Sequence, residues 1–187
     1  MRSAEPGRRA LLDAGQRILA NSDLARLSVN AIVTEANMAK GSFYQHWPTR
    51  RDYLVTLHRA FHDQLADAVD AAIDHMSPGL DRIATGMTTY LDGCLTRPAT
   101  KALLVQARTD AELGPHVAAR NHGFARMATA DLKALGWEPA EPIAALLVAA
   151  VAEIALHELT AGHRRDDLRN AALCLAAHDP TTAPFGR

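Results

Sequence analysis

A short stretch of this chain concentrates side chains that can grip a polyanion. Lys40, Ser42, Tyr44, Gln45 and His46 follow one another closely around Gly41. Lysine donates to guanine or phosphate, glutamine pairs with an adenine edge, and hydroxyls and imidazole suit phosphate oxygens. A glycine inside a helix costs about 1 kcal/mol against alanine, which makes sense where something must come close to the backbone. Ser28, at the start of the preceding helical segment, offers a hydroxyl and an amide. Arg50 adds a charge beside another helix start, whose free N–H groups themselves favour phosphate.

Such side chains need two short helices held at a fixed crossing. Ser28 is a good N-cap for a segment carrying Val29, Ile32 and Val33. A tight turn at 36–38 leads into a second short helix, 39–45, which Pro48 stops. Ile32, Ala36, Met38 and Phe43 can fix the crossing between them. A longer helix, 7–21, precedes the pair with Leu11, Leu12, Gly15, Ile18 and Leu19 on one stripe, and Asn21, Ser22 and Asp23 break it. This arrangement predicts a three-helix helix-turn-helix module.

The rest of the chain also reads as helix. Thr49 and Asp52 form a capping box for a long helix reaching about residue 75. Ser77-Pro78 opens another that ends before Arg97. Further helices are expected at 99–107, 115–135, 142–161 and 166–177, with Gly136 and Gly162 as C-terminal stops. The expectation is an all-α fold of nine helices and no strands. It divides into an N-terminal domain, 1–48, and a C-terminal domain, 49–187, joined by the helix at 49–75.

The 187 residues are 48% apolar and 22% charged, as in ordinary soluble globular chains. A net charge of −1 conceals an asymmetry. Residues 1–60 hold nine Lys and Arg against five Asp and Glu, a net of +4, and the remainder hold eleven against sixteen, a net of −5. That split suggests a basic binding module on an acidic body. Cys94 and Cys174 have no paired spacing, so a reducing compartment is expected; with no adjacent cation except Arg97, both read as buried apolar residues. The polar, basic N-terminus lacks the apolar stretch of a secretory leader. The longest apolar run, 143–152, is too short for a membrane span of roughly 18 to 20 residues, so it reads as a buried helix. A cytoplasmic protein without a membrane partner is expected.

Taken together, Leu11-Leu12-Asp13-Ala14-Gly15, Ser28-Val29, Ile32, and Ala36 through Trp47 resemble the TetR family of bacterial transcriptional regulators. Thr49-Arg50-Arg51-Asp52-Tyr53-Leu54 continues the resemblance, which covers about residues 8–58. Asn37 stands where the family usually has Gly, Ala39 replaces a common Ser or Thr, Trp47 replaces Phe, and Asp23 replaces Gly. Asn37 tolerates the left-handed backbone that the turn needs. The resemblance implies an all-helical homodimer with N-terminal DNA-binding domains and a C-terminal effector pocket. It implies phosphate contacts at Ser28, Tyr44, His46 and Arg50. It also implies that Lys40, Gly41 and Ser42 lie near the bases, and Ala39 and Gln45 complete the expected DNA-binding set.

The same resemblance places the dimer surface on the last two helices, at Leu146, Leu147, Ala150 and Ile154 and at Leu168, Ala172 and Leu175. Apolar residues nearly encircle the first of these helices, which independently calls for cover on several sides. An effector pocket is expected between the long fourth helix and those that follow. Phe61 and Leu65, then Met87, Tyr90, Leu91 and Cys94, are candidate linings. Leu103, Gln106, Asn121, Phe124 and Ala128 complete the set, apolar with a few polar anchors.

The expected function is a ligand-responsive regulator, usually a repressor, binding a palindromic double-stranded DNA operator as a homodimer. A small, largely apolar effector would release it, with no cofactor and no enzymatic step. The alternative is a small helical metal-binding hydrolase. His58 and His62, an i,i+4 pair, could ligate zinc or nickel if Asp63, His116 or His122 converged on them. No nucleophile elbow, phosphate loop or metalloprotease motif supports it, and no bound metal is expected.

Overall fold

The computed structural model describes residues 5–22, 24–97, 99 and 114–177. Within them the chain forms eight α-helices and one 3-10 turn, with no strand. Helix α1 spans Glu5–Asn21, the 3-10 turn Leu24–Arg26, α2 Val29–Glu35, α3 Lys40–Tyr44 and α4 Arg50–Ile73. The body continues with α5 (Leu80–Leu95), α6 (Gly114–Ala134), α7 (Ala140–Ala161) and α8 (Asp166–Ala177). The helix expected at 99–107 lies outside the described residues except for Ala99.

The local signals act as chemistry requires. Ser28 caps α2 by accepting from the Ala31 amide at 3.1 Å. Asn37 closes the turn after α2 at φ 52°, and Met38 N donates to Val33 O at 2.8 Å. Thr49 and Asp52 exchange both bonds of the capping box that starts α4. One boundary differs from expectation. Pro78 does not open α5, because Gly79, at φ 155° and ψ −170°, turns the chain away from helical geometry and α5 begins after it.

The first three helices enclose Leu11, Leu27, Ile32 and Phe43, all fully buried. The first turns of α4 complete that core. Tyr53 and Trp47 meet edge to face with ring centroids 4.9 Å apart, and Phe43 lies 5.3 Å from Tyr53. Trp47 Nε1 donates to Thr56 Oγ1 at 2.9 Å, so the indole is buried with its polar atom satisfied. Helix α4 then runs on into the body, where α5 packs along it and α6 packs along α7. One helix thus belongs to both cores.

Candidate nucleic-acid interface and interior cavity

Helix α3 presents its outer face to solvent. Lys40, Gly41, Tyr44 and Gln45 are exposed, while Ser42 and His46 are half-buried. Tyr44 is 49% exposed and packs edge-on against Phe43, so a rigid aromatic foot holds its ring at the surface. Ala39 occupies the N-cap without any side-chain bond, which leaves the first amides of α3 uncapped. A Cβ built at Gly41 would meet nothing within 4 Å. The chain itself therefore gives no steric reason for glycine here, and the helix carries its cost without internal return.

The remaining expected contact residues are tied into the fold to different degrees. Ser28 accepts at the α2 N-terminus and keeps its hydroxyl proton available for an outside acceptor. His46 packs against Trp47, with ring centroids 5.5 Å apart, and its Nε2 faces Gly7 of α1. Arg50 is not a free charge. Its Nε donates to Leu27 O at 2.6 Å and one terminal nitrogen to Leu24 O at 2.8 Å. Its guanidinium pins the loop that delivers Ser28, a task the spacing of charges along the sequence does not reveal.

The body holds a partly open cavity of about 90 Å³. Helix α4 contributes Val69 and Ile73, and α5 contributes Arg82, Ile83, Met87 and Tyr90. From α6 come Arg120, Asn121, Phe124 and Asp131, and from α7 Leu147, Val148 and Val151. Of the expected linings, Met87, Tyr90, Asn121, Phe124 and Ala128 line it. Phe61, Leu65, Leu91 and Cys94 do not, being packed core at 2% exposure or less. Nearer the start of α4 the helix closes on α5, with Leu65 against the Gly93 backbone. Leu103 and Gln106 lie outside the described residues.

Burial sets the chemistry of the groups around this cavity. Burial pushes the Cys94 thiol up to about 12, so it stays protonated. Tyr90 is likewise raised above its ordinary range, first by burial. Cys174, expected to be buried, is exposed. His58 and His62 are 2% and 4% exposed, with ring centroids 4.4 Å apart. Burial, reinforced by the nearby Arg120 charge, lowers His58 to about 4 and His62 to about 2. His62 Nε2 accepts from Arg120 at 2.6 Å, which places its proton on Nδ1. A cation thus holds the nitrogen that a metal would need, and no three His, Cys, Asp or Glu converge among the described residues.

The expected dimer residues divide. Leu146 and Leu175 are 67% and 68% exposed, and Ala150 and Leu168 are half-buried. Leu147, Ile154 and Ala172 instead bury themselves within the same protomer, since α7 also packs on α5 and α6. Helix α7 is not the buried helix expected from its apolar run. It is long and apolar enough to cross a membrane, and only 28% of its most apolar 18-residue window is buried.

One cluster escaped sequence reasoning. Glu158 and Arg169, at 0% and 3% exposure, form a two-bond pair at 2.6 and 2.7 Å. Arg169 also donates to Asp92 at 2.7 Å, and the Arg165 amide donates to Glu158 at 2.9 Å. The network locks α7, α8 and α5 together. A charge on the apolar stripe of each of two successive helices was the available signal. Arg120 carries the same signal, four residues before Phe124 on its stripe.

Residues 11–55 match the family model described as bacterial regulatory proteins, tetR family. Solved structures resemble most of the chain. A transcriptional regulator from Rhodococcus sp. RHA1 is 21% identical, with a TM-score of 0.76 over 90% of this chain and 93% of that one. A TetR-like transcriptional regulator, also from Rhodococcus sp. RHA1, is 18% identical, with a TM-score of 0.73 over 91% and 93%. A putative TetR-family transcriptional regulator from Syntrophomonas wolfei is 12% identical, with a TM-score of 0.74 over 93% and 96%. No curated protein matches the sequence.

Proposed function

Residues 11–55 match the model of the tetR family of bacterial regulatory proteins, and we propose that the chain is a TetR-family transcriptional regulator acting as a ligand-responsive repressor. It binds a palindromic operator as a homodimer in the cytoplasm and lets go when a small molecule fills the cavity of the body. The reading divides the chain into a DNA-binding head (1–48) and a ligand-binding and dimerising body (49–187). Gly41 carries it furthest: its open surface has no use for the fold and admits a close approach by DNA.

The mechanism is a population shift. Helix α4 holds Tyr53 and Leu57 in one core and Val69 and Ile73 at the cavity wall. A ligand that prefers one position of α4 changes the separation of the two recognition helices. DNA requires about 34 Å, one helical turn, between them. The ligand releases DNA only by the difference in its affinity for the two states. The exposed apolar strip on α7 and α8, with Leu146 and Leu175, supplies the surface between two copies.

Selection of bound sequences from random DNA tests the proposal. The expected product is a palindrome whose affinity falls steeply with salt, because several phosphates are neutralised per subunit. Replacing Lys40 and Tyr44 together with alanine is expected to weaken it at least tenfold. Recovery of no preferred sequence, or unchanged affinity in that double variant, would overturn the proposal.

A further inference from the structure

Arg120 is a cation in the wall of an apolar cavity, and among the described residues its hydrogen-bond partners are neutral. One terminal nitrogen donates to His62 Nε2 at 2.6 Å, and Nε and the other terminal nitrogen donate to Asn121 Oδ1 at 3.3 and 3.1 Å. His62 stays neutral at physiological pH, since burial holds it far below its ordinary range. It therefore accepts from the guanidinium without cancelling its charge. Arginine does not escape burial by losing its proton. A desolvated charge without a counter-charge is expensive, so its natural complement is an anion brought from outside.

A second arginine stands at the same place. Arg82 also lines the cavity, its Nε has no hydrogen-bond partner, and its nearest carboxylate, Asp131, is 3.6 Å away. Asp131 is meanwhile engaged by the Gly79 amide at 3.0 Å. Among the described residues the cavity wall thus carries two cations and one carboxylate, an excess of one positive charge. Both arginines also border a solvent-open groove between α4 and α6, which gives an anion a way in. Asp63 and Asp70 line that groove, yet neither is a hydrogen-bond partner of Arg120. Beyond the arginines the wall is apolar, with Val69, Ile83, Met87, Phe124 and Val151.

We propose that the cavity takes a monoanionic amphiphile, an apolar carboxylate whose charged end pairs with Arg120 and whose tail fills the space between α5 and α7. Arg82 provides the second, longer-range attraction. The inference rests on the cavity being the effector site and gives that site a ligand class. A guanidinium reads a carboxylate through two parallel N–H donors, which a neutral amide or alcohol cannot replace.

Calorimetric titration of the full-length protein with octanoate, octanamide and octylamine tests it, and operator release is measured separately. Octanoate is expected to bind at least tenfold more tightly than octanamide, with octylamine weakest. Arg120→Gln should bring octanoate down to the octanamide level and leave octanamide unchanged, which also shows that the cavity has survived the substitution. Arg120→Lys should retain part of the preference. Equal affinities for octanoate and octanamide, no binding of octanoate, or an unaltered octanoate preference in Arg120→Gln would overturn the proposal. Octanoate binding without operator release supports the anion site and counts against the effector mechanism alone.

Discussion

The Tyr53 hydroxyl donates to the Leu11 backbone oxygen at 2.8 Å, forty-two positions away in the chain. It reaches that oxygen through the space left by Gly15, where a Cβ would collide with the hydroxyl. The bond joins α1 to α4, and thereby the three-helix head to the helix that enters the body.

Tyr53→Phe should therefore lower stability by about 1 kcal/mol, the net worth of one buried hydrogen bond, since the Leu11 carbonyl keeps its place in the α1 ladder. Gly15→Ala should cost more, since ring and helix must separate. Urea unfolding followed by circular dichroism measures both. A Gly15→Ala protein with an unchanged midpoint would show that the two helices do not depend on this contact.

Gly41→Ala separates stability from recognition. The site is open and helical, so alanine should leave stability equal or raise it by up to about 1 kcal/mol. Operator affinity should fall at least tenfold if DNA approaches this backbone. Thermal unfolding and a binding titration on the same preparation decide it, and unchanged affinity would remove DNA as the reason for the glycine.

Stability should fall as the medium is acidified below pH 6.5. His58 and His62 ordinarily titrate near 6.5 and are lowered to about 4 and about 2 in the folded protein. Below pH 6.5 the unfolded chain takes up protons that the folded chain refuses, which favours unfolding until the folded histidines also protonate. Between pH 7 and pH 5 the loss is about 2 kcal/mol per histidine. Above pH 7 both are neutral in both states and contribute no slope. His58→Gln should flatten the dependence by about half, as read from urea midpoints at the two pH values; an unaltered slope would assign it to other groups.

Removing one partner of the buried Glu158–Arg169 pair should be severe. Glu158→Leu leaves a buried guanidinium with only Asp92 and should cost about 3–5 kcal/mol. Adding Arg169→Leu should restore much of that loss, because an apolar pair carries no desolvation cost. A double variant no more stable than the single one would mean that the pair stabilises through its geometry as well.

Glutamates at Leu146 and Leu175 test the association. Both leucines are mostly exposed in the protomer, so its own stability should change by about 0.5 kcal/mol or less. Light scattering should show a shift from dimer to monomer, and operator affinity should fall with it. An unchanged mass would move the interface elsewhere.

What could be read from the order of residues is what short-range chemistry governs. The Ser28 cap, the Asn37 turn, the Thr49–Asp52 box and the stripe of α1 each involve residues a few positions apart. They are sufficient to define the head and the start of α4. Chain order also placed Met87, Tyr90, Asn121 and Phe124 near a cavity, because helical periodicity reveals which face is apolar. It could not separate cavity wall from packed core at Phe61, Leu65, Leu91 and Cys94, since both faces have the same composition and only the spacing between helices distinguishes them. Nor could it show that Arg50 braces a loop, that Glu158 finds Arg169, or that Arg120 meets His62 fifty-eight positions away. A buried charge is defined by its partners, and those partners are brought together only when the helices pack.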